Sequence, residues 1–208
     1  ELSDVNAGSN GFSINGVTAT DLSGFSVSNA GDVNGDGLDD VIIGAYGDDP
    51  NGESSGASFV VFGKTTNTTI ELSNVDAGTG GFVINGVSAN DNSGRSVSNA
   101  GDINGDGLDD VIIGAYNDDP HAGNTDDGSS FVVYGKTTST SVELSNVEAG
   151  TGGFVINGVG SGDASGFSVS GAGDVNGDGF DDLLIGAKND QPHSVYSGAS
   201  FVVFGGLN

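Results

Sequence analysis

The sequence predicts an all-β fold, and three observations support this prediction. The chain of 208 residues contains 39 glycines but only 3 prolines, a balance that indicates tight turns between many short strands. One unit occurs three times, anchored at Asp32, Asp102 and Asp174 with spacings of 70 and 72 residues. Each unit carries four short apolar runs that are rich in β-branched and aromatic residues and have no helical period. We therefore expect three units of four strands each.

The four runs of the first unit indicate how the strands are buried. They are GFSVSNAG, LDDVIIGA, ASFVVFG and the stretch from IELSNV to GFVINGV, at 24–31, 38–45, 57–63 and 70–87. VIIGA and SFVVFG are apolar on both faces, as strands must be when their sheet is packed between two neighbouring sheets. A solenoid or a β-propeller provides such burial, and four strands per unit favour a propeller of four-stranded antiparallel blades. We expect one half-propeller domain, 1–208, with strand-permuted repeats at approximately 1–70, 71–142 and 143–208.

The two ends of the chain belong to different parts of the repeat. The chain begins with ELSDV and GFSING, a fourth-strand stretch, and stops at FVVFGGLN, which closes a third strand. Because propellers typically have about four to eight blades, we expect three blades to be completed by dimerisation. In this homodimer each chain donates its first strand to the other, making a six-bladed ring. The alternatives are an excerpt of a longer propeller, an arbitrary chain boundary, and exchange that fails to close and gives filaments.

Composition restricts the classes of partner. Lys and Arg number 4 against 29 acidic residues, for a formal net charge of −25, which argues against nucleic acid and against an anionic membrane surface. No apolar run is long enough to cross a membrane, so we expect no membrane insertion. The absence of Cys excludes disulfides, thiolate metal sites and a Cys nucleophile. Cations are the partners that this composition favours.

An acidic loop recurs once in each unit and predicts a calcium site. In the first unit Asp32, Asn34, Asp36 and Asp40 occupy loop positions 1, 3, 5 and 9, and the backbone carbonyl of Leu38 occupies position 7. Oxygen ligands at alternate positions are what a hard cation needs, and glycine at position 6 permits the sharp turn. An EF-hand would need Glu at position 12, where Ile43 stands, so the loop must join two strands. Favoured Asn-Gly and Asp-Gly hairpin turns explain the glycines but not the acids at positions 1 and 9.

The pattern predicts three calcium ions per chain. The expected ligands are Asp32, Asn34, Asp36, Leu38 and Asp40 in the first unit, Asp102, Asn104, Asp106, Leu108 and Asp110 in the second, and Asp174, Asn176, Asp178, Phe180 and Asp182 in the third. Position 8 carries Asp39, Asp109 and Asp181, whose side chains we expect to point away from the metal, toward solvent or into a supporting role behind the ligands.

The loops are accompanied by further repeated motifs. Phe62-Gly63, Tyr134-Gly135 and Phe204-Gly205 end the third runs, and VIIGA or LLIGA follows each loop. Together these motifs resemble the FG-GAP repeats of integrin α-subunit propellers and their bacterial relatives, over essentially the whole chain. The resemblance implies calcium on the lower face, held by the fifteen positions just named. It also implies an extracellular or cell-surface propeller that recognises proteins or glycans on its upper face. Integrins have seven blades, whereas this chain has three repeats.

The loops after the second strands, 46–56, 116–128 and 188–198, are expected on the upper face. They combine acids with aromatic rings, which suits a sugar, although solvated loops with a structural Pro turn explain them equally. His121 and His193 lie in these loops without a partner motif and are expected at the surface. Arg95 replaces the phenylalanine of the other units and is expected to reach a carboxylate ligand in the central channel, to stack on a neighbour or to pair with one of the many acids. Lys64 and Lys136 have the pattern of solubilising edge charges.

The leading functional prediction is a non-catalytic, calcium-stabilised propeller used in adhesion or surface recognition. The alternatives are a carbohydrate-binding lectin and a structural subunit of a surface layer or filament. An enzyme acting on polysaccharides is also conceivable, with an acidic pair such as Asp118 and Asp119. Against catalysis, the chain has no Ser-His-Asp pattern and no nucleophile elbow, and nearly equivalent loops favour repeated binding.

Overall fold

The computed structural model describes residues 1–121 and 125–206, in which three mainly antiparallel sheets lie side by side, one for each repeat, and a fourth sheet consists of two short parallel strands. In chain order the elements are α1 (Leu2–Asn6), β1 (Ile14–Asn15), β2 (Ser26–Gly31), β3 (Asp40–Ala45), β4 (Ala57–Val61), β5 (Ile70–Glu71), α2 (Leu72–Asp76), β6 (Gly81–Asn85), β7 (Ser96–Gly101), β8 (Asp110–Ala115), β9 (Ser129–Val133), β10 (Val142–Glu143), α3 (Leu144–Glu148), β11 (Gly153–Asn157), β12 (Ser168–Gly173), β13 (Asp182–Ala187) and β14 (Ala199–Val203).

Each sheet is a meander, and we call the sheets blades 1, 2 and 3. Blade 1 consists of β2, β3, β4 and β6, and blade 2 of β7, β8, β9 and β11. Within the described residues blade 3 contains β12, β13 and β14, without a fourth strand. The described chain is mainly β, with the predicted antiparallel order within each blade, and it forms an open row of blades.

The stretch before each fourth strand differs from the prediction, because it contains a short helix where we expected only strand. α2 places Leu72 and Val75 on one face, and both side chains are fully buried against blade 1. Five residues are too few to produce a helical period that the sequence could reveal. Two-residue parallel strands precede the helices: β5 pairs with β1, and β10 pairs with β6. The connection into one blade is thereby paired with the outer strand of the blade before it.

The hydrophobic core lies between the blades. Ile42 and Val60 of blade 1 pack in one cluster with Ile113 and Phe131 of blade 2. A second cluster joins the opposite face of blade 2 to blade 3. In β8 and β9 every residue is buried, which confirms the prediction that these runs are covered on both faces. The first strands β2, β7 and β12 stand next to one another. The three metal-loop candidates that follow these strands therefore lie along the same side of the row of blades.

Candidate metal centres and inter-blade joints

Each acidic loop begins at a bulge at the end of the first strand of its blade. In blade 1 the pairing register shifts between Asn29 and Gly31, and the N–H of Gly31 donates to Asn29 Oδ1 at 2.7 Å. The corresponding shift occurs in blades 2 and 3. A bulge adds one residue to a strand and increases its local twist. It therefore turns the chain out of the sheet directly before the first acid of each loop.

The loop folds around its first carboxylate. Asp32 Oδ1 accepts hydrogen bonds from the N–H groups of Gly35 (2.8 Å) and Asp36 (3.0 Å), and its Oδ2 accepts one from Gly37 (2.9 Å). Asn34 Oδ1 accepts from the Asp36 N–H at 2.8 Å. The same bonds recur in the second and third loops. The side chains at positions 1, 3 and 5 are thus held by the same tight turn in all three copies.

The acid at position 9 lies deeper than the others. Asp40 is fully buried, and its carboxylate accepts hydrogen bonds from the N–H groups of Val33 (3.1 Å) and Gly63 (2.7 Å). Burial raises the pKa of Asp40 to about 6 and that of Asp110 to about 7, with smaller contributions from the neighbouring loop acids. The glycine of each Phe-Gly or Tyr-Gly pair makes this bond, also at Gly135 and Gly205. This link between the two motifs was not predicted from the sequence.

The donors in each loop suit a hard cation, because they are carboxylate, amide and carbonyl oxygens. Asn34 Nδ2 lies 3.1 Å from Asp36 Oδ2, so positions 3 and 5 are adjacent. Over residues 1–121 and 125–206, however, no group of three or more His, Asp or Glu side chains has the spacing of a metal site. Asp40 instead directs its oxygens at backbone donors. Each carboxylate oxygen keeps a further lone pair that is not used by these hydrogen bonds. The fifteen-ligand assignment stays a prediction.

The acids at position 8 have a role that the sequence analysis missed. We expected them to face solvent or to support the ligands. Asp109 Oδ2 instead accepts a hydrogen bond from the N–H of Asp32 at 2.8 Å, and Asp181 Oδ2 accepts one from the N–H of Asp102 at 3.2 Å. Each bond reaches from one blade to the first loop residue of the blade before it. These two aspartates join neighbouring blades, whereas Asp39 is exposed at the end of the row.

Arg95 lies among aromatic rings. Its guanidinium is 5.0 Å from the ring centre of Phe25, 5.1 Å from that of Tyr116 and 4.5 Å from that of Phe167. Lys188 adds a second cation 3.6 Å from the Phe167 ring. In the described part of the chain Arg95 makes no ion pair with an acid. The expectation that Arg95 stacks on neighbours is confirmed, and cation–π attraction accounts for the position.

The predictions for the other basic residues have mixed outcomes. Lys136 is not a solvated edge charge: its Nζ lies 4.2 Å from the centre of the Phe82 ring and contacts the Thr140 carbonyl, and burial lowers its pKa. Lys64 lies in the same way over Phe12. Both aliphatic stems cover apolar surface, as long basic side chains often do.

The histidine predictions are confirmed in part. His193 is exposed, as expected. His121 is half exposed, and its Nδ1 lies 3.0 Å from the buried carboxylate of Asp127. His121 thus contacts a specific buried acid, which the sequence analysis did not predict.

Buried acids in the upper loop of blade 2 and in the turn before its first strand were not predicted. Asp91 and Asp118 are both buried, and desolvation raises the pKa of Asp91 to about 7 and raises that of Asp118. Asp91 accepts a hydrogen bond from the N–H of Ser88 at 2.7 Å. Residues 122–124 of this predicted ligand-binding loop lie outside the described residues. No spacing pattern in the sequence distinguishes these acids from the exposed ones beside them.

Comparison with known proteins agrees with the repeat architecture. The FG-GAP repeat family matches at residues 23–61, 93–133 and 165–203, more than half of the chain. Integrin alpha-5 of Xenopus laevis is 29% identical over 199 residues, 92% of this chain and 17% of its own length. Integrin alpha pat-2 is 34% identical over 100 residues in Caenorhabditis briggsae and in Caenorhabditis elegans, 45% of this chain and 7% of each relative.

This chain spans less than a fifth of the length of these relatives. Its described residues include no helix with the length and apolar character needed to cross a bilayer. The three matched segments coincide with the three blades, each from the turn before its first strand to the end of its third strand. The chain belongs to the FG-GAP repeat family.

Proposed function

We propose that this chain is a non-catalytic, calcium-binding recognition module that works at the cell surface or outside the cell. The observation that supports the proposal is the threefold recurrence of one hydrogen-bonded loop, in which oxygen donors follow at alternate positions. Membership of the FG-GAP family and the similarity to integrin α-subunits support the same proposal.

Calcium suits the electrostatics of the loops. Each loop contains three predicted carboxylate ligands within nine residues of a chain of formal net charge −25, and a divalent cation would relieve their repulsion. We propose that Asp32, Asn34, Asp36, Leu38 and Asp40, with their counterparts in the other two repeats, hold three ions. The expected affinity is about 10⁻⁴ to 10⁻³ M, as in other extracellular calcium modules.

Isothermal titration of chelator-treated protein with calcium chloride tests this proposal. We expect three ions per chain, and one fewer in each of the single variants Asp36→Ala, Asp106→Ala and Asp178→Ala. Glu53→Gln is the matched control, because it removes one charge from an exposed position outside the loops. Unchanged stoichiometry in the three loop variants, or no measurable binding in the wild type, would contradict the calcium assignment.

We further propose that the ligand binds on the upper face, around the Arg95 cluster. The chain has only 4 basic residues, and two of them, Arg95 and Lys188, lie against the Tyr116 and Phe167 rings. Cationic groups beside aromatic rings suit an anionic group on a protein or a glycan. Arg95→Phe restores the residue of the other two repeats and removes the charge, so we expect this variant to lose binding on an array of acidic glycans and peptides.

The absence of catalysis is tested separately. Incubation with a panel of polysaccharides should give no turnover. Turnover that Asp118→Asn abolishes would instead support the enzymatic alternative, because Asp118 belongs to the acidic pair of the upper loop.

A further inference from the structure

The three repeats differ from one another at the end of the strands opposite to the acidic loops. The position of Arg95 holds Phe25 in the first repeat and Phe167 in the third. In the same turn, Asn92 stands where the other repeats have leucine and alanine. After the second strand, Lys188 of the third repeat stands where the other two have tyrosine. Polar or charged groups thus replace apolar or aromatic ones at three positions of the repeat.

The fold brings the two cations among these residues together. The Arg95 guanidinium is 5.1 Å from the Tyr116 ring centre and 4.5 Å from that of Phe167. Lys188 Nζ is 5.7 Å and 3.6 Å from the same two centres. Both cations therefore share two rings, although they belong to different blades. Arg95 itself lies in blade 2, which has a blade on each side, so its surroundings do not depend on either end of the row.

Asn92 fixes the geometry of this cluster. Its Oδ1 accepts a hydrogen bond from the Tyr116 hydroxyl at 3.1 Å, and its Nδ2 donates to the Ser54 carbonyl at 3.1 Å. The N–H of Arg95 donates to the Asn92 carbonyl at 3.2 Å. The turn that carries Arg95 is therefore tied to the upper loops of blades 1 and 2, which contain Ser54 and Tyr116. The Tyr116 ring is held in place by its hydroxyl and provides a fixed face for the cations.

The four basic residues of the chain divide into two pairs by their hydrogen bonds. Lys64 and Lys136 each donate from Nζ to the carbonyl and the hydroxyl of a threonine. Within residues 1–121 and 125–206, the side chains of Arg95 and Lys188 donate to no oxygen and form no ion pair. Each of these two cations carries several N–H donors. The cluster thus has unused donors, although the chain contains 29 acidic residues.

These unused donors favour a ligand with one carboxylate. The planar guanidinium of Arg95 matches a carboxylate with two parallel hydrogen bonds, and the Lys188 ammonium adds a second positive charge. Two cations beside the same rings repel each other, and an anion that contacts both relieves this repulsion. The rest of the chain sets the opposite condition, because a net charge of −25 repels a ligand with many negative charges. The ligand should therefore carry a single anionic group.

The surroundings of the cations favour a sugar as the carrier of this carboxylate. The upper loops to which the Arg95 turn is tied contain Asp49 and Asp119, whose exposed carboxylates are hydrogen-bond acceptors. Sugar hydroxyls are uncharged donors that suit such acceptors, whereas a second acid on a peptide would be repelled. The rings of Phe25 and Tyr46, whose centres are 5.0 Å and 6.0 Å from the guanidinium, add apolar surface for the C–H face of a sugar.

We propose that the Arg95 cluster binds a single carboxylated sugar, such as a uronic acid at the end of a glycan. This inference rests on the proposed function and narrows its ligand to one chemical class. Arg95 binds the carboxylate and Lys188 adds charge beside it. Asn92 is a positioning residue that holds the Tyr116 ring. Glycans with a carboxylate on every sugar are disfavoured by the charge of the whole chain.

Saturation-transfer NMR of the protein in millimolar calcium tests the proposal with small probes. We expect methyl glucuronide to bind. Methyl glucoside, which has a hydroxymethyl group in place of the carboxylate, should bind at least about tenfold more weakly. Glutamate that is acetylated and amidated at its ends carries the same charge without sugar hydroxyls, and it should also bind more weakly. No binding of methyl glucuronide, equal binding of the glucoside, or tighter binding per sugar by polyglucuronate would overturn the proposal.

Variants show whether the probe binds at the cluster. Arg95→Phe, which introduces the residue of the other two repeats, should weaken methyl glucuronide binding at least about tenfold. Arg95→Lys keeps the charge without the planar donors and should give an intermediate loss. Lys64→Gln is the matched control, because it removes a cation that already donates to Thr68, and binding should not change. Methyl glucuronide binding that Arg95→Phe leaves intact would refute the assignment.

The same measurements separate this inference from the proposed function. If the blocked glutamate binds in an Arg95-dependent way and methyl glucuronide does not, the sugar class is wrong, while an anion-binding recognition site at the cluster stands. If neither anionic probe binds, the upper-face site of the proposed function fails as well. Calcium binding is measured by its own titration and is unaffected by either result.

Discussion

Blades 2 and 3 have nearly the same sequence but very different surroundings. Phe131 and Val132 of blade 2 are fully buried, whereas their counterparts Phe201 and Val202 are 45% and 47% exposed. Blade 2 is covered by a blade on each side, by a helix and by its own fourth strand. Within the described residues blade 3 has one neighbouring blade and three strands. Repeat identity therefore does not decide burial; the neighbours of the blade do.

This difference indicates where the stability of the protein comes from. In a repeat architecture, stability is approximately a sum of the intrinsic stability of each unit and of the interfaces between neighbours. A substitution in blade 2 should therefore cost more than the same substitution in blade 3.

Calcium removal should have the largest effect on the stability of the protein. A site that is saturated at 100 times its dissociation constant stabilises the folded state by about 2.7 kcal/mol. Chelation should therefore lower the melting temperature sharply, as scanning calorimetry would measure. Among single variants, Asp32→Ala and Asp102→Ala should cost more than Asp174→Ala, because the first two loops are held by Asp109 and Asp181. An unchanged melting temperature after exhaustive chelation would contradict calcium binding.

The next largest effect on stability is expected from truncating a core phenylalanine, and this effect should differ between blade 2 and blade 3. Phe131→Ala should lower the free energy of unfolding by about 3 to 5 kcal/mol, the usual cost of removing a buried phenylalanine. Phe201→Ala should cost less than half as much, because that ring is half exposed. Urea denaturation measures both. Equal costs for the two variants would contradict the comparison.

Substitutions of the position 8 aspartates test the hydrogen bonds that join neighbouring blades. Asp109→Ala should cost about 1 to 3 kcal/mol, because it leaves the N–H of Asp32 without its acceptor at a partly buried joint. Asp39→Ala makes the same chemical change at an exposed position, and its effect should stay within about 0.5 kcal/mol. The urea denaturation midpoints of the two variants, measured in parallel, test this prediction. Equal losses for the two variants would show that Asp109 does not act through the joint.

The smallest expected effect is a pH dependence in blade 2. Burial raises the pKa of Asp91 to about 7 from an ordinary value of 3.8. Because the pKa of Asp91 in the folded protein lies above its value in the unfolded chain, its contribution to the free energy of unfolding is complete below about pH 4. This contribution is lost as the pH rises through about 7. Asp91→Asn keeps an acceptor for the Ser88 N–H and removes the buried charge. It should be more stable than wild type at pH 8 and lose this advantage at pH 4, where the wild-type carboxyl is protonated.

Urea titrations at pH 4 and pH 8 in chelator measure this difference without interference from calcium release. Glu53→Gln, which removes an exposed charge, should show no such divergence from wild type. If Asp91→Asn and wild type keep a constant difference across the pH range, Asp91 does not titrate in the folded protein over this interval.

Local sequence patterns predicted most of the fold, for a physical reason. Short β-branched runs that are bounded by Gly, Asn and Asp specify strands and turns through contacts between residues close in the chain. The repeat then specified the same four-stranded order three times. The five-residue helices were missed because Leu72 and Val75 provide only one apolar spacing, which is too little to define a helical period.

Site features that depend on residues far apart in the chain were predicted less well. The loop pattern was recognised because its donors lie within nine residues. The bond from Asp32 to Asp109, the position of Lys136 over Phe82 and the burial of Asp118 were not predicted. Each depends on how a side chain meets another blade or another loop, and no local pattern records this.

The sequence by itself therefore determined the strands, the threefold repeat and the spacing of the oxygen donors, because these follow from neighbours along the chain. Only the tertiary structure decided which of three equivalent aspartates at position 8 join blades and which equivalent valines and phenylalanines are buried. The physical reason is that burial and inter-blade hydrogen bonding belong to pairs of surfaces. Identical repeats acquire different energies as soon as one has a neighbour that the other lacks.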